Sequence, residues 1–101
     1  LTARLIIHDA TRPVLARHAR LRFDETRKLW VILAPERVLL PDDIAVEVLQ
    51  LCDGARDITL IAATLATKYN APVADISSDV TTMLQDLADK GFLVEAREVA
   101  P

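Results

Sequence analysis

Trp30-Val31-Ile32-Leu33-Ala34-Pro35-Glu36-Arg37-Val38-Leu39-Leu40-Pro41-Asp42-Asp43 is the stretch on which the fold turns. Residues 29–33 are apolar, β-branched and aromatic, the composition of a strand. Ala34-Pro35-Glu36 interrupts it, because proline brings no N–H to a ladder. Residues 37–40 then form a second, very short strand, and Pro41-Asp42-Asp43 opens a helix. A strand this short, between a proline and a helix start, belongs at a sheet edge with its outer backbone groups free to accept a partner.

Upstream, Arg20-Leu21-Arg22-Phe23-Asp24 alternates polar and apolar, the pattern of a half-buried strand. The polar residues 24–27 turn the chain back into 28–33, a hairpin without the Asn-Gly or Asp-Gly signature. Three strands are the minimum for a stable sheet, and then only with helices over one face. Downstream, Ile44, Ala45, Val48, Leu49 and Cys52 repeat at helical spacing, with Asp42 and Asp43 at the start and Asp53-Gly54 as the stop. A second helix starts at Asp57 or Thr59, buries Ile58, Ile61, Ala62, Leu65, Ala66 and Tyr69, and ends at Asn70-Ala71-Pro72. A third spans about 73–90, buries Ile76, Val80, Met83, Leu84 and Leu87, and is capped by Gly91. Phe92-Leu93-Val94 returns along the core.

Residues 1–11 have no clear period and read as a flexible tail or linker, residues 12–96 as the domain, and residues 97–101 as a C-terminal tail. Val14 and Leu15, after Pro13, anchor the chain onto the core. The predicted fold class is α+β: a three-stranded antiparallel sheet followed by a three-helix bundle, winged helix-turn-helix-like.

A chain of 101 residues suits one domain, and with four aromatic residues its core is aliphatic. No apolar run approaches the ~20 residues of a membrane span, and no basic segment precedes a signal-like apolar one. A single cysteine, Cys52, excludes an internal disulfide, so the expected setting is cytoplasmic, with no membrane partner. Residues 1–40 hold eight basic side chains against four acidic ones, and residues 41–101 four against eleven. That split predicts an electrostatically two-faced domain.

The charge pattern decides against nucleic acid. A recognition helix offers cations to bases and phosphates, whereas the third helix carries Asp75, Asp79, Asp86 and Asp89 with Lys90 its only cation. His8 and His18 have no partners at metal-ligand spacing, and one cysteine cannot hold a cluster, so neither metal nor cofactor is expected. Gly54 and Gly91 are the only glycines, so there is no phosphate loop, and enzymatic activity is not expected. What remains is a binding module whose edge, Arg37-Val38-Leu39-Leu40, takes an extended peptide beside a groove lined by Met83. On physical grounds two other outcomes stay open: an edge blunted by Pro35 and Pro41, or one that pairs with a second copy of the chain.

Arg12-Pro13-x-Leu15, Arg20-Leu21-Arg22-Phe23-Asp24, Trp30-Val31-Ile32-Leu33-Ala34-Pro35-Glu36-Arg37-Val38-Leu39 and Leu51-Cys52-Asp53-Gly54 resemble the PqqD family of pyrroloquinoline quinone biosynthesis. Ile76-x-x-Asp79-Val80 and Leu84-x-x-Leu87-x-x-x-Gly91 extend the resemblance over about residues 12–95. It implies a bacterial peptide chaperone, one of the RiPP recognition elements, that binds the precursor peptide PqqA and presents it to the radical S-adenosylmethionine enzyme PqqE. It also implies that the peptide adds as a strand to Arg37, Val38, Leu39 and Leu40 and lies beside Asp79, Thr82, Met83 and Asp86 of the third helix. Val38, Leu39, Met83 and Leu87 are the candidate pocket, Arg37 the candidate partner of a peptide carboxylate, and Leu39 the ladder donor a proline would remove. Some family members are fused behind PqqC, and the Leu1 start with its extra N-terminal segment suits excision from such a fusion or a trimmed chain equally well. The competing class is a self-associating structural domain that uses the same edge for dimerisation.

Overall fold

In the computed structural model, which describes residues 4–96, the chain runs β1 (Pro13–Leu15), β2 (Arg20–Asp24), β3 (Leu29–Ala34), β4 (Arg37–Leu39), α1 (Asp43–Gln50), α2 (Ile58–Tyr69), α3 (Val73–Asp89) and β5 (Leu93–Glu95). The meander β2-β3-β4 is the predicted antiparallel sheet, with Leu21 and Leu39 both opposite Ile32. The first turn closes without glycine. Asp24 accepts the Thr26 and Arg27 amides at 3.0 Å each on its side chain, and Lys28 takes the left-handed conformation, φ 59°. The second turn has Pro35 at its first central position and Glu36 at φ 62° at the next.

The starts of α1 and α2 and the ends of α2 and α3 fall at the residues their sequence suggests. Asp42 accepts the Ala45 amide and Asp57 the Leu60 amide, each at 2.8 Å, satisfying donors that the first helical turn leaves free. Asn70 ends α2 in the left-handed region. Gly91, at φ 87°, ends α3, with its own amide bonded to Ala88 and that of Phe92 to Leu87, the paired bonds of a Schellman cap. This cap throws Phe92 and Leu93 back into the core, where both are buried with Ile32, Val48, Ile61 and Leu84.

Three features depart from the expectation. First, β1 and β5 form a separate two-stranded antiparallel sheet, Val14 opposite Val94, and Val14 also bridges to Asp53. Gly54 therefore does not cap α1, which ends at Leu51. Its φ of +82° serves the turn that bonds its amide to the Pro13 carbonyl, with Ala96 Cβ only 3.0 Å from where a Cβ would stand. Second, Cys52 lies just past α1, buried, with Sγ donating to the Val48 carbonyl at 3.3 Å. Third, residues 4–11 are no free tail. Ile7 is buried, Thr11 is fully buried, and the Gln85 side-chain amide bonds the Leu5 carbonyl and the Ile7 amide, both at 2.8 Å. Arg4 makes a two-pronged bond to Asp89 at 2.7 and 2.8 Å, which is the main cause holding that carboxyl below its ordinary range. The packed unit thus begins before residue 12. No period shows because only Ile7 and Thr11 of these eight residues are buried, and hydrogen bonds to Gln85 and Asp89 do the rest. The C-terminal tail predicted at 97–101 lies outside the described residues.

Candidate functional site

β4 pairs with β3 on one side, and among the described residues nothing pairs its other side. The register determines which groups that free side offers. Ala34 opposite Arg37 closes a two-residue loop and must be a hydrogen-bonded pair; Leu33 opposite Val38 is then unbonded, and Ile32 opposite Leu39 bonded. Arg37 and Leu39 thus turn their amides and carbonyls toward β3, and Val38 turns both of its own toward open solvent. The ladder donor available to a partner is Val38, not Leu39 as the sequence suggested.

Side chains alternate in the same register. Leu39 lies on the face of Ile32, and together with Leu40, Pro41, Ala45, Met83, Asp86, Leu87 and Lys90 these two line an open cleft of about 190 Å³ between β4 and α3. Val38 points the other way and is 53% exposed. Of the residues predicted for the site, Leu39, Leu40, Met83, Asp86 and Leu87 line this cleft, whereas Asp79 stands on the next pocket and Thr82 on neither. Asp86 is already paired with Lys90 at 2.9 Å.

Arg37 has partners within the fold that the sequence did not suggest. Its guanidinium donates to the Lys90 carbonyl and lies 4.4 Å over the Phe92 ring, so it ties β4 to the end of α3. Ile32, Pro41, Ala45 and Lys90 were not foreseen in the lining. Lys90 follows from its place one helical turn beyond Asp86, but Ala45 and Pro41 depend on how α1 crosses the sheet, which no local pattern encodes.

Beyond Met83 the same face of α3 opens into a second pocket of about 190 Å³ between α1, α2 and α3. Glu47 on its wall meets Lys68 at 3.1 Å, and the Tyr69 hydroxyl followed by Lys68 holds its carboxyl below the ordinary range. Elsewhere the chemistry is spare. Cys52 is pushed up to about 12 by burial first and by Asp53 second, which leaves a thiol and not a nucleophile at neutral pH. His8 Nδ1 accepts the Ala10 amide at 3.2 Å in a local turn, and among the described residues no cluster of three or more His, Cys, Asp or Glu is arranged to hold a metal. No helix among them is long and apolar enough to cross a membrane.

Comparison with known proteins identifies the family and the fold. The family model "Coenzyme PQQ synthesis protein D (PqqD)" matches residues 30–93, which hold β3, β4, all three helices and the cleft. A protein of Rhodopseudomonas palustris named "PqqA binding protein" is 69% identical over 97 residues, 96% of this chain and 95% of that one. The solution structure of the PqqD truncation of Methylobacterium extorquens PqqCD, described as a functional, stand-alone RiPP recognition element, superposes with a TM-score of 0.76 at 44% identity. That match covers 88% of this chain and 95% of the other. The crystal structure of PqqD from Xanthomonas campestris gives 0.54 at 41% identity, over 77% and 87%.

Proposed function

The chain belongs to the PqqD family, that of coenzyme PQQ synthesis protein D, and from that premise we propose that it is a peptide chaperone that captures the precursor peptide PqqA by strand addition to β4. The observation that carries the proposal is the outward amide and carbonyl of Val38 beside an apolar cleft. The peptide residue opposite Val38 closes a bonded pair, and its two neighbours turn their side chains onto the Leu39 face, into the cleft between β4 and α3. Backbone bonds set register, and the cleft side chains choose the sequence. No bond of the peptide is made or broken on this domain. It holds the peptide extended for PqqE, the modifying enzyme, and the same module serves whether free or joined to PqqC.

Titrating PqqA into isotopically labelled protein tests this directly. Shift changes should centre on Val38, Leu39, Leu40, Met83 and Leu87, and exchange of the Val38 amide should slow when peptide is bound. An unchanged Val38 amide under saturating peptide rules out strand addition. Sedimentation across concentrations separates capture from dimerisation through the same edge, since only the second makes the mass depend on protein concentration without peptide.

A further inference from the structure

The pocket between α1, α2 and α3 is not accounted for by strand addition alone. Its floor is apolar, built by Val48, Leu65, Ile76, Val80 and Met83, while Ile44 on its rim is 58% exposed. Its volume, about 190 Å³, is below the roughly 300–1,000 Å³ usual for small-molecule sites, so it suits one side chain better than a metabolite. Met83 lines both this pocket and the cleft beside β4, so the two form one path along α3. From Leu87 to Ile76 the helix rises about 16 Å, close to five residues of an extended chain. The rim is acidic. Glu47 on the wall is already met by Lys68 and the Tyr69 hydroxyl, whereas Asp79 is exposed and forms no ion pair among the described residues.

We propose that this pocket is a second anchoring subsite for the captured peptide, taking an apolar side chain whose neighbour in sequence is a lysine or arginine. The proposal rests on the peptide-capture reading and extends it. The first cleft fixes the register at Val38. The second pocket, about three to six residues further along the peptide, fixes which way the chain runs. The apolar side chain covers Ile44, Ile76 and Met83, and the adjoining cation meets Asp79. Two anchors at a set spacing discriminate between peptides where a three-residue edge alone cannot.

The test measures PqqA binding by calorimetry for the wild type, Ile44→Glu, Asp79→Lys and Val38→Pro, with melting curves to show that each folds. Ile44 and Asp79 are both exposed, so their replacement leaves the core untouched. Ile44→Glu and Asp79→Lys should each weaken binding about tenfold, as loss of one well-placed anchor does, with the Val38 amide still slowed in the complex. An alanine scan of the peptide should couple these two variants to one apolar residue and its basic neighbour, away from the residues that couple to Val38→Pro. Wild-type affinity in both Ile44→Glu and Asp79→Lys, with Val38→Pro impaired, overturns the second subsite and leaves strand capture standing. Wild-type affinity in all three overturns strand capture itself. If Ile44→Glu instead dissolves a dimer without altering peptide binding, the pocket's occupant is a second copy and the proposal is wrong.

Discussion

Replacing Val38 by proline isolates the ladder from the fold. Because Val38 sits in the unbonded pair of the β3–β4 register, its N–H supports nothing among the described residues, and proline is tolerated on an edge strand when the missing donor faces solvent. Arg37, the preceding residue, is already in a strand, as the residue before a proline prefers to be. The variant should therefore fold with a small change in melting temperature. Binding is another matter. The substitution removes one ladder bond, about 1 kcal/mol net, and leaves the facing peptide carbonyl unpaired, about 1–2 kcal/mol more, so the affinity for PqqA should fall about 30- to 150-fold. Leu39→Pro makes the contrast. The Leu39 N–H bonds the β3 strand at Ile32, so this change costs about 1–3 kcal/mol of folding stability as well as the cleft side chain. Calorimetric titration and thermal melting of both variants give the comparison. A Val38→Pro protein that melts with the wild type and binds PqqA with wild-type affinity refutes strand addition. One that melts as low as Leu39→Pro refutes the assignment of which groups face outward.

Further outcomes follow from particular side chains. Glu36→Gly should stabilise the protein by about 0.5–1 kcal/mol, because the φ of 62° strains any residue with a Cβ; denaturant unfolding checks it. Cys52, buried and pushed up to about 12, should resist alkylation at neutral pH in the native state and react at once in denaturant, read by mass spectrometry. Asp89 is depressed chiefly by its hydrogen bonds from Arg4, so its contribution to stability is present above the ordinary carboxylate range and is lost as pH falls through the lowered value. Acid should thus loosen residues 4–7 first, seen as faster exchange of the Ile7 amide, and Asp89→Asn should remove that pH dependence. Arg37→Met, which keeps bulk and drops the contacts to Lys90 and Phe92, should weaken PqqA binding several-fold while leaving the fold intact, by releasing β4 from α3.

Sequence periodicity carried the helices and the central meander because each buries one face, and one face leaves a repeat that can be read. Ile61, Leu65, Val80 and Leu84 are such positions, and all four are buried. Residues 4–11 left no such trace, since they are held by the Gln85 amide and the Arg4–Asp89 pair, contacts between residues some eighty positions apart. β1 was hidden for the same reason: three residues beside β5 make no alternation long enough to recognise. The site divides along the same line. Position on an element was legible, so Leu39, Met83 and Leu87 were placed at one cleft, but what a flexible cation reaches was not. Arg37 looked free because its partners are a carbonyl and a ring more than fifty residues away, which exist only once α3 is capped.

The shortness of β4 explains why an exposed edge is tolerable and why the cleft is necessary. One residue, Val38, presents both its groups outward, and Pro35 and Pro41 prevent the strand from lengthening in either direction. Two ladder bonds return about 1–3 kcal/mol, whereas ordering even four peptide residues costs about 4–8 kcal/mol of backbone entropy. Edge pairing alone therefore fails for any passing chain, including another copy of this one, which protects the sheet from indiscriminate growth. A bound peptide has to recover the difference by burying side chains against Leu39, Leu40, Met83 and Leu87. On the proposed reading the geometry converts a weak, sequence-blind contact into a selective one: the ladder would give register to every peptide, and the surface along α3 would decide which of them stays.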